Sequence, residues 1–582
     1  MKLDIDKNKD TLLPTNAVDI LKDRYLLPTE KTPQEAFARA CIAFSDNKAH
    51  AERLYKYVSN LWFMFASPLL SNGGTDRGLP ISCFLNYVPD SREGLAAHYT
   101  ENIWLSSMGG GIGGYWGHIR SQGQSTSKGN KTTGVIPFMH VVDSQMVAFN
   151  QGSTRRGSYA SYMDVSHPEI IEFIEMRKPA GGDINRKNLN LHHAVILPDK
   201  FMKAMEDDRD WDLIDPNSKK KVKTVKARSI WIKILEARIS TGEPYLMFID
   251  TVNKGLPKEL KDKGLKVHHS NLCSEITLPT NEDRTAVCCL SSVNLEYFDE
   301  WSKEELFIED LMRMLDNTLT KFIRSAPLTM KKAITSAESE RSVGLGTMGF
   351  HSYLQRSGVA LQSPMSMGPN LKIFKHIKNK CDAANMLLGK ERGEAPDLKG
   401  TGKRFAHMIA IAPNASSSII CGNTSPSIEP LRANAFSQKT LSGSFLIKNK
   451  YLEKLLEKKG KNTKDVWKII ITNRGSVESF DFLNAQEKNI FKTAIEVDQA
   501  WLVDLAAARQ KYICQAQSLN LFFPPDVNVR RLNNVHKRAW YKGLKTLYYC
   551  RSEAIKHTEN ISIKIERKVR QDDEEDCVMC QA

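Results

Sequence analysis

Asn271-Leu272-Cys273-Ser274-Glu275 is the stretch around which the rest of this chain must be arranged. It places a thiol and a carboxylate two residues apart, and side chains at i and i+2 leave the same face of an extended chain. Asn271 falls on that face as well. A sulfur, an amide and a potential general base together are the groups of a reaction centre. The alternative is a buried cysteine beside a solvated glutamate, so the rest of the chain must decide between the two.

Two further cysteines lie in apolar runs that are typical of strands. Cys83 belongs to the run at 80–85, and Cys288 belongs to Ala286-Val287-Cys288-Cys289-Leu290. A disulfide between them requires a fold that brings their Cα atoms within about 7 Å. Cys289 points to the opposite face of its strand and is the natural control.

The C-terminal segment differs in composition from the rest of the chain. Residues 572–576 are five consecutive acidic residues, and like charges resist packing, which predicts a mobile tail at 552–582. Cys577 and Cys580 follow as a C-x-x-C pair, which can close as a disulfide and can attack another disulfide. A dithiol on a flexible arm suits a shuttle of reducing equivalents. Incidental terminal cysteines are the alternative.

Length and composition limit the class of protein. Eleven cysteines in 582 residues are too few for a disulfide scaffold, so most are expected to be thiols in a reducing compartment. Neither a signal peptide nor an apolar run of about 18 residues is present, which predicts a cytoplasmic protein. The formal charge of +15 leaves nucleic-acid binding open. The basic residues are spread along the chain without a known binding motif, so we expect no stable nucleic-acid complex.

Alternating short apolar runs and helical patterns predict the fold class. Residues 195–197, 245–249 and 408–412 are expected to be buried strands, and residues 308–322, 371–388 and 497–511 to be helices. Such alternation over several hundred residues favours a parallel α/β core. A mostly helical region at 1–60 precedes it, with an amphipathic stretch from Pro33 to Val58.

Three shorter motifs suggest chemistry. The turn at 412–418, rich in Ser and Asn, follows a predicted strand and offers hydroxyl and N–H groups for an anion; a helix N-cap without a ligand is the alternative. Tyr548 and Tyr549 end an apolar run, and adjacent phenols near a thiol can relay an electron and a proton, although on an ordinary strand they divide between core and surface. The GxGxxG match at 109–114 follows a predicted helix, so we expect a glycine-rich turn with close backbone approach rather than a dinucleotide site.

These motifs together resemble the large, catalytic subunit of class I ribonucleotide reductase. The resemblance runs from about Tyr25 to the C-terminus. It rests on SPLLSNGG, ISCFL, the glycine run, QGSTRRGS, SNLCSEITLPT, AVCCLSSVNL, RSVGLGTMGF, PNASSS, QAQSLNLFF, LKTLYY and the terminal CxxC, in that order.

The resemblance implies a ten-stranded α/β barrel at 61–551 whose central finger loop carries Cys273. By analogy, Cys273 forms a thiyl radical that removes the 3′-hydrogen of a ribonucleoside diphosphate. Glu275 takes the proton of the 3′-hydroxyl, and Asn271 holds that hydroxyl. Cys83 and Cys288 supply the electrons that release the 2′-hydroxyl as water, and they end as a disulfide.

Further roles are implied in the same way. Cys577 and Cys580 reduce that disulfide and are recharged by thioredoxin or glutaredoxin. Tyr548 and Tyr549 pass the radical to Cys273 from a separate, metal-containing small subunit, while this chain itself binds no metal. The implied substrate-binding residues are Ser67, Ser82, Pro413, Asn414, Ala415, Ser416, Ser417 and Ser418. The implied residues of a site for a dNTP or ATP effector at a homodimer interface are Asp90, Arg120, Gln151 and Arg155, with Arg156 the rival of Arg155 for reading the base.

One feature departs from many relatives. They carry an N-terminal ATP-cone of about ninety residues, whereas the residues before Cys83 match the region after that cone. We therefore expect inhibition by dATP through a cone to be absent, as would suit a viral or phage enzyme.

Two other classes of reductase compete with this interpretation. A cobalamin-dependent reductase would not need Tyr548-Tyr549, and a glycyl-radical reductase needs a glycyl-radical segment where this chain has CxxC.

Overall fold

The computed structural model describes residues 1–81, 83–149, 157–440 and 443–552, without the side chains of 438–440 and 443–444. Its strands are β1 (Phe63–Phe65), β2 (Cys83–Tyr87), β3 (Gly111–Tyr115), β4 (Ser158–Asp164), β5 (His192–Leu197), β6 (Asp210–Ile214), β7 (Lys221–Lys226), β8 (Tyr245–Phe248), β9 (Ala286–Asn294), β10 (Val343–Met348), β11 (Ala435–Thr440), β12 (Gly443–Lys448), β13 (Leu521–Phe523), β14 (Thr546–Leu547) and β15 (Cys550–Ser552).

The α-helices are α1 (Thr15–Arg24), α2 (Pro33–Phe44), α3 (Lys48–Ser59), α4 (Ser67–Asn72), α5 (Arg92–Ser107), α6 (Val135–Ala148), α7 (Ile170–Glu175), α8 (Asp199–Glu206), α9 (Ala227–Thr241), α10 (Ile249–Lys254), α11 (Lys258–Asp262), α12 (Phe298–Trp301), α13 (Phe307–Ser325), α14 (Lys331–Glu340), α15 (Phe350–Arg356), α16 (Met367–Arg392), α17 (Ala415–Ile420), α18 (Lys450–Lys458), α19 (Lys464–Thr472), α20 (Ala485–Ile490), α21 (Gln499–Gln510) and α22 (Val529–Tyr541). Short 3₁₀ helices span Lys7–Leu12, Ile184–Arg186, Leu295–Tyr297, Leu328–Met330, Pro364–Ser366 and Pro396–Leu398.

Ten extended segments close into a barrel. The hydrogen-bonded order of the strands is β9, β2, β3, β4, β5, β8 and β14. Strand β10 pairs with the edge of β9 that faces away from β2. Between β10 and β14 the ring is completed by two extended segments, 407–411 and 515–519. The first segment pairs with β10 and with the second segment, and the second pairs with the chain after β14. The ring confirms the expected α/β barrel.

Most of the barrel is parallel, as the predicted alternation requires. The pairs β2–β3, β3–β4, β4–β5 and β5–β8 are parallel, and helices connect the strands. Strand β9 is antiparallel to β2, which places Cys288 directly opposite Cys83. These parallel strands are buried along almost all of their length, in keeping with helices covering the outside.

The helices at the N-terminus pack beside the barrel. The amphipathic stretch from Pro33 to Val58 forms two helices, α2 and α3, because Asn47 accepts a hydrogen bond from His50 N and starts a new helix. Their buried faces, which include Phe37 and Leu54, join the main core. In the part of the chain that the structure describes, no helix is long and apolar enough to cross a membrane.

The predicted segments compare closely with the observed ones, with two differences. The expected strands at 195–197 and 245–249 lie in β5 and β8, and the three expected helices lie in α13, α16 and α21. The segment 408–412 contributes barrel pairing but only through single bridges. The expected turn at 109–114 is wrong, since Gly111–Tyr115 is the barrel strand β3.

Candidate active site

The stretch 271–275 crosses the barrel interior as a loop, so its expected extended conformation is wrong. Residues 272–274 form a turn, and Ser274 has φ of 63°, in the left-handed region. The alternation of faces along a strand therefore does not bring Cys273 and Glu275 together. We call residues 269–277 the finger loop; Asn271, Cys273 and Glu275 are each 0% exposed.

Side chains of the surrounding barrel and of the loop itself fix the finger loop. The Tyr162 hydroxyl donates to the Asn271 carbonyl at 2.6 Å, and Ser270 donates to the Ile276 carbonyl at 2.6 Å. The Ser518 hydroxyl lies 2.6 Å from the Cys273 carbonyl oxygen and 3.1 Å from Glu275 Oε2. One hydroxyl on the segment 515–519 thus ties Cys273 to Glu275.

A glycine in β3 makes room for the loop. A Cβ atom at Gly113 would lie 2.0 Å from the Ser270 carbonyl oxygen and 2.8 Å from Asn271 Cα. His269 Nε2 is 3.0 Å from the Gly113 carbonyl. The expected close backbone approach at the glycine run therefore occurs, but it occurs along a strand and its partner is the finger loop.

Glu275 is the titratable group of this centre. Burial raises its pKa to about 7, against the smaller lowering effects of hydrogen bonds from its own backbone, from Asn271 and from Ser518. Its second carboxylate oxygen, Oε1, is buried without a hydrogen-bond partner among the described residues. A carboxyl group with a pKa near neutrality and an unused oxygen is suited to accept a proton from a bound molecule.

Cys83 and Cys288 face each other across the β2–β9 pair. They are direct partners in the antiparallel register, where opposing Cα atoms lie about 4.5 to 5.5 Å apart, within the range for a disulfide. Asn271 Nδ2 is 3.7 Å from Cys83 Sγ, and Gln515 Nε2 is 3.9 Å from Cys288 Sγ. The register therefore brings both thiols to the finger loop.

The two cysteines of the β2–β9 pair are both free thiols and both buried. Burial, followed by the neighbouring Cys83, raises the pKa of Cys288 well above its usual range. Cys288 is thus held as a protonated thiol, which can give a proton as well as an electron.

Two tyrosines connect the Cys273 sulfur with the outer wall. Tyr548 Oη lies 3.1 Å from Cys273 Sγ, and the rings of Tyr548 and Tyr549 are 4.3 Å apart. Tyr548 is 2% exposed, and Tyr549 is half-buried. Tyr245 packs on both, with centroids 4.6 Å from Tyr548 and 5.0 Å from Tyr549.

Sequence comparisons identify the family. The model described as "Ribonucleotide reductase, barrel domain" matches residues 81–401 and 395–550, and the one described as "Ribonucleotide reductase, all-alpha domain" matches residues 11–78. The chain belongs to the ribonucleotide reductase large-subunit family. Viral large subunits are among its relatives: the putative ribonucleoside-diphosphate reductase large subunit of Frog virus 3 is 49% identical over 91% of this chain and 92% of that one.

Two further relatives agree. The ribonucleoside-diphosphate reductase large subunit of Invertebrate iridescent virus 3 is 45% identical over 95% of both chains. The solved class Id ribonucleotide reductase alpha subunit of Actinobacillus ureae superposes with a TM-score of 0.83 at 35% identity, covering 93% of this chain and 97% of that one.

The phosphate-binding residues expected for a ribonucleotide reductase lie at two helix N-termini. Ser67 begins α4, and Asn414 is the N-cap of α17. The adjacent β9 residues Ser291 and Ser292 bond to Ala66 N and to Asn414 Nδ2, so both N-termini lie at the same point of the barrel. Pro413 precedes the N-cap, and Ala415, Ser416, Ser417 and Ser418 form the first turn of α17.

The expected effector residues are only partly within the described chain. Arg120 Nε donates to Asp90 Oδ2 at 2.9 Å, and Arg120 also donates to the Ser125 carbonyl in the following loop. Gln151, Arg155 and the rival Arg156 lie outside the described residues, as do Ser82, Cys577 and Cys580. Within the described ranges, no group of three or more His, Cys, Asp or Glu side chains could hold a metal ion.

Four residues of the site were not expected from sequence. Ser518 and Gln515 lie in QAQSLNLFF, a motif that supported the resemblance without an assigned role. Tyr245 begins a correctly predicted strand, and Tyr162 lies inside β4. Their contacts join residues separated by more than 100 positions, such as Tyr162 with Asn271, so no local pattern in the sequence indicates them.

Proposed function

We propose that this chain is the catalytic subunit of a ribonucleoside-diphosphate reductase, which converts ribonucleoside diphosphates to 2′-deoxyribonucleoside diphosphates for DNA synthesis. The observation that carries the proposal is the convergence of Cys273, Glu275, the Cys83–Cys288 pair and Tyr548 on one buried volume inside the barrel. Family membership at 45–49% identity to viral large subunits supports the same activity.

The first step delivers a radical to Cys273. A metal-containing small subunit supplies the oxidising equivalent. Tyr549 as a phenoxyl radical takes a hydrogen atom from Tyr548, and Tyr548 then takes one from the Cys273 thiol. The 3.1 Å separation of Tyr548 Oη and Cys273 Sγ suits the last transfer.

The second step removes the 2′-hydroxyl. The Cys273 thiyl radical takes the 3′-hydrogen of the ribose, and Glu275 accepts the proton of the 3′-hydroxyl. The 2′-hydroxyl leaves as water with one proton from the cysteine pair, and C2′ receives the second hydrogen. Cys83 and Cys288 together give up two electrons and two protons and become a disulfide. Glu275 returns its proton to the 3′-oxygen, and Cys273 returns its hydrogen to C3′. The buried, partner-free Oε1 of Glu275 supports its role as base.

Further assignments complete this proposal. Asn271 would hold the 3′-hydroxyl. The diphosphate would be bound by Ser67, Ser82 and residues 413–418. An effector nucleotide at a homodimer interface would be bound by Asp90, Arg120, Gln151 and Arg155. Cys577 and Cys580 would reduce the Cys83–Cys288 disulfide and be recharged by thioredoxin or glutaredoxin. The chain would divide into a helical region at 1–60, the barrel at 61–551 and a redox tail at 552–582. The viral relatives support a reaction in the cytoplasm of an infected cell.

The decisive experiment is a CDP reduction assay with and without a class I small subunit, in the presence of an effector nucleotide and dithiothreitol. We expect product only with the small subunit and without added cobalamin, and loss of that product in Tyr548→Phe at unchanged CDP affinity. Activity with cobalamin alone would favour the competing enzyme class. Salt-resistant binding to single-stranded DNA without CDP reduction would favour a nucleic-acid-binding protein.

The tail is tested separately. A Cys577→Ser, Cys580→Ser double variant should complete about one turnover per chain with thioredoxin, and continue with dithiothreitol, which reaches the internal disulfide directly. Failure of dithiothreitol to restore turnover would contradict the shuttle role and leave the radical chemistry untouched.

A further inference from the structure

A second polar cluster lies against the outer end of the tyrosine pair. Glu243, which is 1% exposed, precedes β8, and its carboxylate accepts hydrogen bonds from three side chains. Oε1 is 2.5 Å from Arg177 NH1 and 2.6 Å from His192 Nδ1, and Oε2 is 3.1 Å from His193 Nδ1. The steps proposed above use none of these four residues.

The cluster determines which atom of His192 carries hydrogen. Burial alone would raise the pKa of Glu243, but Arg177 and the two histidines offset burial and hold that pKa well below its usual range. The carboxylate is therefore ionised and can only accept hydrogen bonds. The Arg177 guanidinium, which can only donate, also lies 3.0 Å from His192 Nδ1, but the ionised carboxylate oxygen is nearer, at 2.6 Å. A bare nitrogen lone pair at that distance from the carboxylate would be repelled, so Nδ1 of His192 carries a hydrogen and donates to Glu243.

The same nitrogen also reaches Tyr549. His192 Nδ1 lies 3.2 Å from Tyr549 Oη, and the two rings meet edge to face at 6.0 Å. The Nδ1–H group is thus shared between the Glu243 carboxylate and the phenolic oxygen. The Arg551 guanidinium lies 4.2 Å from the centre of the Tyr549 ring, and Tyr245 meets that ring at its edge. Tyr549 is therefore held on several sides, and His192 Nδ1 lies at hydrogen-bond distance from its oxygen.

We propose that His192, fixed by Glu243, is a positioning residue for radical transfer that donates a hydrogen bond from Nδ1–H to the Tyr549 oxygen. This inference rests on the proposed function, since it deepens the role of Tyr549 in that reaction. Glu243 acts through His192 and touches neither tyrosine oxygen in this role.

The donated bond has two consequences for the relay. An oxygen that accepts from Nδ1–H keeps its own proton for another acceptor, and Tyr548 is the neighbouring phenol at 4.3 Å between ring centres. In the transfer, the Tyr549 phenoxyl oxygen gains one hydrogen atom from Tyr548, which becomes the phenoxyl, so electron and proton come from one donor. The Nδ1–H bond is present before and after this exchange because both phenol and phenoxyl oxygens accept hydrogen bonds.

The chain offers matched variants for a test. His192→Phe keeps a planar ring but removes the donor, and His192→Asn places an amide N–H close to the position of Nδ1. His193→Asn is the control, because His193 contacts the other oxygen of the same carboxylate and also faces the Ile174 carbonyl rather than Tyr549. Thermal unfolding of each variant shows whether the fold is retained.

The experiment uses the full chain with a class I small subunit and with 3-aminotyrosine incorporated at position 549, which traps the radical at that position. In deuterated buffer, electron–nuclear double resonance should detect an exchangeable deuteron at hydrogen-bond distance from the Tyr549 oxygen in the plane of Nδ1. That signal should be lost in His192→Phe and retained in His192→Asn and His193→Asn. With natural Tyr549, His192→Phe should slow radical-dependent CDP reduction about tenfold, the kinetic equivalent of one hydrogen bond.

The outcomes separate this inference from the proposed function. If the unmodified protein reduces CDP but the deuteron signal and the rate are the same in His192→Phe, the role of His192 is wrong and the reductase assignment stands. If the rate falls equally in His192→Phe and His192→Asn with the signal unchanged, His192 is structural only and the inference is overturned. If the unmodified protein gives neither radical nor deoxycytidine diphosphate, the proposed function itself fails.

Discussion

The finger loop and the β2–β9 cysteine pair lie side by side in the barrel, yet they are held in place by different physical means. Cys83 and Cys288 are direct partners in a regular strand register, which the backbone hydrogen bonds of a sheet maintain. Cys273 lies in a loop whose position depends on side chains from β4 and from the segment 515–519. The two paired thiols thus lie on a regular sheet, whereas the position of the Cys273 sulfur depends on contacts from several elements.

The first way to break this comparison is to remove the sulfur of the loop. Cys273→Ser should lower CDP reduction to below about 1% of the unmodified rate, because a hydroxyl group does not form a radical under conditions that oxidise a thiol. Binding of an effector nucleotide should be unchanged, since Asp90 and Arg120 lie outside the finger loop. Steady-state reduction and effector binding by calorimetry check both statements; residual turnover of several per cent would exclude Cys273 as the radical residue.

The second test separates the two neighbouring cysteines on β9. Cys288→Ser should abolish multiple turnover, whereas Cys289→Ser should retain most of it, because alternate residues of a strand face opposite sides and only Cys288 is paired with Cys83. Both thiols are buried, so thermal unfolding corrects for packing loss.

The informative measurement is a count of internal disulfides by mass spectrometry after a single turnover without external reductant. The Cys83–Cys288 disulfide should form in the unmodified protein and in Cys289→Ser. Equal loss of turnover in both serine variants would contradict the register argument.

The contrast also explains what the sequence could predict. Strand and helix positions such as β5 and α16 follow from local apolar patterns. The motifs drew attention to Cys83, Cys273, Cys288 and Tyr548, which lie close together in the structure. The conformation of 271–275 could not be predicted from its own residues, because Ser274 adopts a left-handed φ only when the surrounding contacts hold it there. The i, i+2 rule fails for this segment because its geometry depends on contacts such as that of Ser518, more than 240 positions away.

A third test displaces the loop without changing any of its residues. Gly113→Ala places a Cβ atom 2.0 Å from the Ser270 carbonyl oxygen, so either β3 or the finger loop must move. We expect a loss of about 2 kcal/mol in the free energy of unfolding and about a hundredfold loss of activity, since small displacements of reacting groups are costly. Gly368→Ala is the control, because nothing lies within 4 Å of its added Cβ atom.

The smallest expected effect concerns the hydroxyl that joins Cys273 to Glu275. Burial raises the pKa of Glu275 to about 7, and the Ser518 hydrogen bond lowers it. Ser518→Ala should therefore raise this pKa further. Because the ionised carboxylate is the form that accepts a proton, activity should rise with pH through the pKa of Glu275, and this rise should move to higher pH in the variant, with about a tenfold loss near neutral pH.

Profiles of kcat/KM against pH for CDP reduction measure that movement, and Ser336→Ala provides the matched control. The Ser336 hydroxyl donates to Glu340, a second buried carboxyl group whose pKa burial raises to about 7. Within the described residues, the Glu340 side chain is bonded to Ser336 and Ser342 and not to the finger loop. An identical shift in both variants would mean that the profile reports general stability rather than Glu275. A shift confined to Ser518→Ala would show that the segment 515–519, and not the loop itself, sets the proton affinity of the base. The finger loop and the β2–β9 cysteine pair would then differ in acidity as well as in geometry. The strand register alone aligns the two thiols, whereas the pKa of a base within a loop depends on the segment that packs against it.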